Sequence, residues 1–309
     1  MNILHMRYAV EIADTKSLNK AAGNLYVGQP NLSRAIKELE NDLGITIFER
    51  SHKGMTLTPD GETFITYAKS VLKQIDDIEN LFKDNNDKKI KFSVSVPRAS
   101  YIADAFTKLT KTLSSKDKAE FFYRETNSMR TIKNVLQEDY DLGIVRYAEN
   151  FDKFYKNTFE EKNLKHEMIA EFRYVLLMSK NSPLASIKNI KYSDLKDYIE
   201  ISHADPYVPS LSFAEVKKEE LPDNSTRKIF LFERASQFEL LAENPECFMW
   251  VSPVTKDLKD RYGLIECVCD ENKRVYKDVL IHKNDYVLSK TDKEFIEMLI
   301  EAKRNILKV

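Results

Sequence analysis

The chain has 309 residues, of which 42% are hydrophobic and 31% charged, so its composition is that of a folded protein and disfavours extended disorder. This length favours two or three domains. The formal net charge is -1, so any nucleic acid must be bound by a local basic surface and not by the chain as a whole.

The cysteine, histidine and hydropathy patterns disfavour disulfide-bonded proteins, metalloproteins and membrane proteins. The three cysteines, Cys247, Cys267 and Cys269, form no CxxC pair, which favours a reducing compartment. The five histidines are scattered without metal-ligand spacing, so we expect no metal and no other cofactor. No segment resembles a signal peptide, and no apolar run approaches the roughly 18 residues of a membrane span. We therefore expect a soluble, cytoplasmic protein with no membrane partner.

The first 43 residues predict three short helices. The first covers roughly residues 4–13, and Ser17 is placed to cap a second helix that contains two small alanines. A three-residue turn leads to a third helix, which Pro30 can open and Gly44 can end. Its apolar stripe is Leu32, Ile36, Leu39 and Leu43. Two helices joined by a tight turn are typical of the helix-turn-helix motif, and a plain helical hairpin is the alternative.

The segment "ITIFERSHKGMTLT" predicts a β-hairpin after the third helix. Two alternating runs, Ile45 to Glu49 and Met55 to Thr58, flank a polar loop that contains Arg50, His52 and Lys53. A cationic loop beside a helix-turn-helix can meet phosphates or an adjacent minor groove. The alternative is a solvated hairpin tip. Lys and Arg outnumber Asp and Glu by only one between residues 1 and 58, which weakens the case for DNA binding by this segment.

A long amphipathic helix follows, with Thr58 as its cap and Pro59 in its first turn. Its apolar residues are spaced 4, 3, 4, 3 and 4, which is a coiled-coil seam made of Phe64, Ala68, Val71, Ile75, Ile78 and Phe82. A second copy of the helix is the simplest partner for this seam, and packing on its own domain is the alternative. The polar run "KDNNDKK" then marks a domain boundary at residues 83–89.

From Ile90 onward, strand-like and helix-like runs alternate, which favours α/β sheets of largely parallel strands. The strand-like runs are residues 90–96, 119–125, 141–146, 172–179, 228–232, 247–252 and 275–283. The helix-like runs are residues 102–113, 128–138, 235–242 and 292–306.

The run "SLNKAAGNLYVGQPNLSRAIKELENDLGITIFERSHKGMTLTPDGE", Ser17 to Glu62, resembles the LysR-type family of bacterial transcriptional regulators. Its paired alanines, Gln-Pro, Leu-Ser-Arg, Phe-Glu-Arg and Leu-Thr-x-x-Gly elements occur at the family's spacing. "DYDLGIV" and the closing "KTDKEFIEMLIEA" are similar to later family elements, so the resemblance extends over the whole chain.

The resemblance implies a winged helix-turn-helix DNA-binding domain at residues 1–58, a linker and dimerisation helix with a hinge at 59–89, and an effector-binding domain at 90–309. That last domain is expected to be a two-lobed α/β domain resembling periplasmic binding proteins. Its first lobe is expected at about 90–165 and 268–309, and its second at about 166–267.

We expect eight residues at the DNA, seven that the resemblance implies and Asn31, at which the chain departs from the family pattern. Gln, Asn and Arg can read base edges, whereas a hydroxyl or a Lys can fix a phosphate. The residues are Gln29, Pro30, Asn31, Ser33, Arg34, Lys37, Arg50 and Lys53. Gly28 stands where the family commonly has Ser, which removes a side-chain cap. Asn31 replaces a commoner Ala, so we expect it to alter site preference.

Loops at the carboxyl ends of strands are the usual ligand sites of open α/β sheets, and these loops also match the inducer pocket of the family. Arg98 and Arg146 can pair with an anion, and hydroxyls on helix N-termini can donate to it. The expected effector residues are Arg98, Ser100, Ser128, Arg146, Ser202 and His203. The alternatives are that both Ser100 and Ser128 only cap helices and that Arg146 forms a surface ion pair. The family's Gly-rich turn is replaced by "ENPECF", so the local backbone of that turn stays open.

Together these features predict a transcription regulator that binds an interrupted inverted-repeat operator as a dimer or tetramer. It is expected to respond to a small anionic metabolite and to present a surface to RNA polymerase. An enzyme is disfavoured because the chain has no Gly-rich phosphate loop and no G-x-S-x-G elbow. A solute-binding module that keeps a helical arm without using it on DNA is the other alternative.

Overall fold

The computed structural model describes residues 2–51, 54–82, 89–115, 117–138, 140–205 and 225–307. The chain divides into two compact units, Met1–Lys89 and Ile90–Val309.

The first unit begins with three helices, α1 (Ile3–Thr15), α2 (Leu18–Asn24) and α3 (Gln29–Leu43). The Lys20 backbone N–H donates to Ser17 Oγ at the start of α2, as predicted for a cap. Gly44 ends α3 in the left-handed region with φ 68°. The predicted stripe of α3 faces the core, where Leu32, Ile36 and Leu39 are buried against α1 and α2.

Strands β1 (Phe48–Ser51) and β2 (Gly54–Leu57) form the predicted antiparallel hairpin. Two contacts fix this hairpin to the helices. The Glu40 carboxylate accepts the backbone N–H groups of Ile47 and Phe48 at 2.7 and 3.1 Å. The Met55 N–H donates to the Lys16 carbonyl at 3.0 Å, in the turn between α1 and α2.

Helix α4 (Pro59–Phe82) is capped by Thr58, whose hydroxyl accepts the Gly61 N–H at 2.9 Å. The expected seam does not form one uniform surface. Ala68 is 2% exposed and packs with Met6 of α1. This residue therefore packs within its own unit, which was the alternative to packing against a second copy of the helix. Val71 and Ile78 are 38% and 55% exposed. The side chain of Phe82 lies outside the described residues.

The second unit contains two five-stranded sheets, each of which forms one lobe. The first sheet has the order β4-β3-β5-β12-β6, and the second has the order β11-β7-β10-β8-β9. The strands of the first sheet are β3 (Lys89–Val96), β4 (Lys118–Glu125), β5 (Leu142–Ala148), β6 (Leu164–Arg173) and β12 (Val275–Lys283). Those of the second are β7 (Val175–Ser179), β8 (Ile199–His203), β9 (Arg227–Leu231), β10 (Cys247–Val251) and β11 (Leu264–Cys267).

Helices cover both sheets, and we number them within the described residues. The first lobe has α5 (Ser100–Thr110), α6 (Ser128–Gln137), α7 (Asp152–Glu161) and the closing α10 (Lys290–Leu307). The second has α8 (Ala235–Glu243) and α9 (Lys256–Tyr262). Short 3-10 turns occupy Glu149–Phe151, Pro183–Ser186 and Tyr192–Leu195. Phe92, Phe106 and Phe295 pack together where α5 and α10 cover the first sheet.

Two expectations about this unit are wrong. The sheets are mixed, because β12 pairs antiparallel with both β5 and β6, and β7 pairs antiparallel with β10 and β11. The expected strand at 172–179 is two strands, β6 and β7, that belong to different sheets. The first lobe therefore continues through β6 to residue 173 instead of ending near 165. The sequence does not show this break, because Tyr174 joins β6 to β7 within one continuous run that contains no Gly or Pro to mark a turn.

Candidate DNA-binding surface and effector cavity

The N-terminal part of α3 presents a polar surface on the side opposite its buried stripe. Pro30, Asn31, Arg34 and Lys37 are exposed, and Gln29 and Ser33 are half-buried, which places all six expected residues of this helix on one accessible surface. We call these six residues the α3 surface. The buried Ala21 and Ala22 let α2 approach α3 closely.

The two cations of the α3 surface are free of partners within the described residues, where neither Arg34 nor Lys37 makes an ion pair or a hydrogen bond. An anionic partner can therefore bind them without displacing an internal carboxylate. Gly28 is the N-cap of α3 and supplies no side-chain hydrogen bond, as its glycine side chain predicts.

The two hairpin residues expected at the DNA, Arg50 and Lys53, are described only in part. Arg50 lies in β1 opposite Met55, and its side chain is not among the described ones. Lys53, which was also expected at the DNA, lies outside the described residues.

Tyr26 is an exposed aromatic residue that the sequence pattern did not single out. It lies in the turn before α3, is 96% exposed and has φ 54°. A positive φ is unusual for a bulky residue, so the turn holds this side chain outward at a conformational cost. Because Tyr26 lies in a turn and not in a helix, the periodicity of the helices did not indicate it.

A cavity of about 60 Å³ lies between the two lobes of the second unit. Its lining combines cations, polar groups and large apolar side chains. The lining residues are Arg98, Ala99, Ser100, Arg146, Tyr174, Leu177, His203, Arg234, Gln237, Phe238, Met249, Trp250, Val251, Ser252 and Val254. Four of the six expected effector residues thus come together, namely Arg98, Ser100, Arg146 and His203.

Arg98 follows β3 and reaches across to the second lobe. Its guanidinium donates to the Asp205 carboxylate at 2.8 Å and to the Phe232 carbonyl at 2.9 Å. The Asn127 amide also donates to the Asp205 carbonyl, at 3.1 Å. Arg98 therefore both lines the cavity and connects the lobes.

Arg146 is a buried cation with a fixed orientation. It donates twice to the Asp278 carboxylate, at 2.7 and 2.6 Å, and its guanidinium lies 4.8 Å from the centre of the Phe172 ring. Burial opposes the charge, but the Asp278 carboxylate outweighs burial and raises the pKa of Arg146. The Arg146–Asp278 ion pair is therefore buried, whereas the alternative for Arg146 was an ion pair at the surface.

Ser100 and Ser128 differ in position, and neither caps its helix. Ser100 Oγ accepts the Thr255 N–H at 3.1 Å and donates to the Pro253 carbonyl at 3.4 Å, which joins the lobes at the cavity. The N-cap of α6 is Asn127, and Ser128 donates instead to the Arg146 carbonyl. Ser128 does not line the cavity.

Ser202 and His203 end β8 but point to different surroundings. Ser202 Oγ donates to the Glu200 carboxylate at 3.1 Å and is absent from the lining. His203 lines the cavity, where burial lowers its pKa to about 4 and the Arg98 cation adds to the effect. The imidazole is therefore neutral near pH 7.

The sequence reasoning missed the segment after β9, in which Arg234 precedes α8 and Gln237 lies in its first turn. Arg234 donates to the Glu125 carboxylate of the first lobe at 3.0 Å. The rule used for the other loops could have found this segment, because "FERASQF" directly follows the strand-like run at 228–232.

Three arginines line the cavity, and each is paired with a carboxylate outside the lining. They are Arg98, Arg146 and Arg234, their partners are Asp205, Asp278 and Glu125, and no carboxylate occurs in the described lining. Tyr174, Phe238 and Trp250 supply an apolar wall.

Two buried polar atoms of lining residues, His203 Nδ1 and Gln237 Oε1, have no hydrogen-bond partner among the described residues. An orphaned buried polar atom costs about 1–3 kcal/mol, so both atoms require an explanation.

The part of the chain that the structure describes contains no group of three or more His, Cys, Asp or Glu side chains that could hold a metal ion. No helix within those ranges has the length and apolar composition needed to cross a membrane.

Comparison with known proteins identifies the first unit. The family model for the bacterial regulatory helix-turn-helix protein of the lysR family matches residues 3–62. YcgK of Bacillus subtilis, an uncharacterised HTH-type transcriptional regulator, is 49% identical over 78 residues, which are 25% of this chain and 24% of YcgK. YnfL of Escherichia coli, also an uncharacterised HTH-type transcriptional regulator, is 25% identical over 202 residues, 63% of each chain. The aligned segments thus span less than two thirds of these relatives.

A solved structure extends the comparison to the whole fold. The full-length LysR-type regulator LysG from Corynebacterium glutamicum, with bound effector Arg, has a TM-score of 0.62 at 12% identity and covers 98% of each chain. At this identity the likeness concerns the fold alone. Residues 3–62 thus match the lysR-family helix-turn-helix model, and the chain has the fold of a full-length LysR-type regulator, with a two-lobed α/β domain after the helix-turn-helix.

Proposed function

We propose that this protein is a transcription regulator that binds double-stranded DNA through its first unit and a small anionic metabolite through its second. One observation carries the proposal. The α3 surface exposes Arg34 and Lys37 without internal partners, in a domain of the lysR helix-turn-helix family. The near-neutral net charge is no obstacle, because a few exposed side chains on one helix are enough to enter a major groove.

In this proposal the α3 surface lies in the major groove. Gln29, Asn31 and Arg34 are the residues whose side chains can read base edges, and Ser33 and Lys37 contact phosphates. Pro30 sets the start of the helix. Arg50 and Lys53 of the hairpin contact the backbone beside the helix.

One recognition helix reads few base pairs, so the proposed regulator acts as a dimer on an interrupted inverted repeat. The exposed Val71 and Ile78 of α4 support self-association through this helix. Two such dimers form the proposed tetramer. Binding of the metabolite then shifts the population of two assembly shapes, which bend DNA differently and present different surfaces to RNA polymerase.

The cavity supports an anionic effector because three guanidinium groups, those of Arg98, Arg146 and Arg234, line it, each paired with a carboxylate outside the lining. Its position between the lobes lets a ligand contact both, and the Arg98–Asp205 pair already connects them. Ser100 contributes a hydroxyl at the same place. Ser128 and Ser202 have no part in the proposed site, because neither lines the cavity.

The DNA-binding half is tested with the Ser33→Ala, Arg34→Ala double variant. A genome-wide map of bound DNA first supplies the operator, and affinities are then measured over a range of salt concentrations. We expect the double variant to lose at least about tenfold in affinity and to show a shallower salt dependence. Asn41→Ala is the matched control, since Asn41 is exposed at the far end of the same helix.

Asn31→Ala extends the same experiment to sequence preference. We expect this variant to keep its affinity for non-specific DNA and to change its ranking of a panel of operator variants. If the double variant binds the operator as wild type does, with the same salt dependence, the protein is instead a solute-binding module whose helical arm is not used on DNA.

A further inference from the structure

The turn between α2 and α3 has a tyrosine at a position where the backbone favours glycine. The Tyr26 N–H donates to the Gly23 carbonyl at 3.2 Å, and the Val27 N–H donates to the Ala22 carbonyl at 3.0 Å. This pair of bonds is the Schellman end of a helix, in which the residue with positive φ is usually glycine. Here that residue is Tyr26, with φ 54°. The helix end therefore explains the conformation of the turn but not the choice of tyrosine.

The side chain of Tyr26 contributes no interaction to its own unit. It is 96% exposed, and neither its ring nor its hydroxyl makes a hydrogen bond or a ring contact within the ranges that the structure describes. Residues other than glycine, asparagine and aspartate rarely adopt this backbone conformation, because it is strained. A strained residue whose side chain does not stabilise the fold points to a role outside the fold.

Tyr26 lies beside the α3 surface. Leu25 and Val27 pack on the core of the first unit, so the residues next to Val27 face away from that core. Tyr26 and Gly28 are accordingly both exposed. A Cβ placed on Gly28 would lie 3.8 Å from Nδ2 of Asn31, which belongs to the α3 surface. Gly28 therefore connects Tyr26 to the α3 surface without a side chain between them.

The docking geometry of a helix-turn-helix places this turn at the sugar-phosphate backbone. The second helix of the motif lies in the major groove and the first crosses the backbone, so the turn that joins them lies where the groove meets the phosphates. Tyrosine hydroxyls are among the side-chain donors that bind phosphate oxygens. Of the turn residues 25–28, only Tyr26 has a side-chain donor.

We propose that Tyr26 contacts the DNA backbone at the edge of the major groove, where its hydroxyl donates to a phosphate oxygen and its ring packs against the adjacent sugar. This inference rests on the proposed DNA binding of the first unit and adds a contact to it. A phosphate contact positions the helix without reading the sequence, so Tyr26 contributes equally at every DNA site. Because the side chain is neutral, the contact releases no counterion.

Two variants test the contact. Tyr26→Phe removes the hydroxyl alone, and Tyr26→Gly removes the whole side chain in favour of the residue that the turn prefers. Affinities of the full-length protein are measured for the operator and for a non-operator duplex of the same length, over a range of salt concentrations. We expect Tyr26→Phe to lose about threefold to tenfold in affinity for both duplexes, and Tyr26→Gly at least as much. The slope of log affinity against log salt should stay at its wild-type value.

Thermal unfolding separates this role from a structural one. Glycine adopts a positive φ without strain, so we expect Tyr26→Gly to unfold at or above the wild-type temperature while it binds DNA more weakly. Asn24→Ala is the matched control, because Asn24 is exposed two residues earlier but its amide donates to Glu11 of α1 at 2.7 Å. This control should keep wild-type DNA affinity. A loss of DNA affinity that only accompanies a lower unfolding temperature would show that Tyr26 acts on the fold, and the proposal would be wrong.

Other results overturn the proposal in different ways. If both Tyr26 variants bind DNA as wild type does while the Ser33→Ala, Arg34→Ala variant loses affinity, Tyr26 makes no DNA contact and only this inference fails. If the Tyr26 variants change the ranking of a panel of operator variants, the side chain reads bases and does not position the helix. If the Ser33→Ala, Arg34→Ala variant keeps wild-type affinity, the proposed DNA binding by α3 fails, and the Tyr26 contact fails with it.

Discussion

At the scale of single residues, the surroundings of His203 disfavour its protonated form. Burial lowers its pKa to about 4, and the Arg98 cation acts in the same direction. In the unfolded chain the ring returns to its ordinary pKa of 6.5. Between these two values the unfolded chain binds a proton that the folded chain does not, so folding is disfavoured as the pH falls.

We predict that His203 alone lowers the free energy of unfolding by about 2 kcal/mol between pH 7 and pH 4.5. The sign follows from the depressed pKa, since the contribution is complete above pH 6.5 and is lost below it. Urea unfolding followed by Trp250 fluorescence measures the effect in wild type and in His203→Gln. Carboxylates titrate in both proteins, so the difference between them isolates His203. A difference that stays constant with pH would contradict the prediction.

At the scale of elements, the position of the hairpin depends on the absence of two side chains. A Cβ on Gly61 would lie 2.1 Å from the Ile47 carbonyl oxygen, and one on Gly54 would lie 2.5 Å from that of Lys16. Gly54 also has φ 103°, which side chains rarely adopt. Glycine at positions 54 and 61 therefore allows the hairpin to lie close to Lys16 and the start of α4 to lie close to Ile47.

We predict that Gly61→Ala destabilises the protein by about 1–3 kcal/mol, because the Ile47 backbone must move away from the start of α4. Gly23→Ala is the matched control. Gly23 is also helical and has nothing within 4 Å of an added Cβ, so this change should stabilise by about 0.4–1 kcal/mol. Thermal unfolding of both variants provides the measurement. Similar shifts for both would mean that the close contact at Ile47 is unimportant.

Helix ends were predictable from sequence because their causes are local. Ser17, Thr58 and Gly44 act on groups three or four positions away, and each does so in the structure. Strand partners were not predictable in the same way. The antiparallel pairing of β12 joins residues more than 100 positions apart, and the break at Tyr174 depends on distant partners as well, which no local pattern records.

At the scale of the whole molecule, α4 carries two apolar sides with different roles. Ala68 and Leu72 face α1 and are buried with Met6. Tyr67, Val71 and Ile78 form a separate exposed side, with Tyr67 70% exposed. The heptad seam predicted from sequence lies between these two sides, which explains why it mixed buried and exposed residues. The exposed side is the one available to a second copy.

We predict that the Val71→Glu, Ile78→Glu double variant weakens self-association by at least about tenfold for each site, because each buried apolar side chain contributes roughly 1.5–3 kcal/mol. Analytical ultracentrifugation of the full-length protein measures the change. Thr66→Glu, which adds a charge on an exposed side of α4 away from this surface, is the control. Unchanged association of the double variant would place the interface elsewhere.

The sequence by itself determined the features that short-range chemistry controls: the three N-terminal helices, the hairpin, the long capped helix and the polar α3 surface. These follow from caps, turns and apolar periodicity within a few residues. Only the tertiary structure decided which loops meet. It brought Arg98, Arg146 and His203 together with the unforeseen Arg234, Gln237 and Trp250, and it left Ser128 and Ser202 outside. The physical reason is that a cavity between two lobes is built from strand ends far apart in the chain, so its lining depends on strand order and pairing.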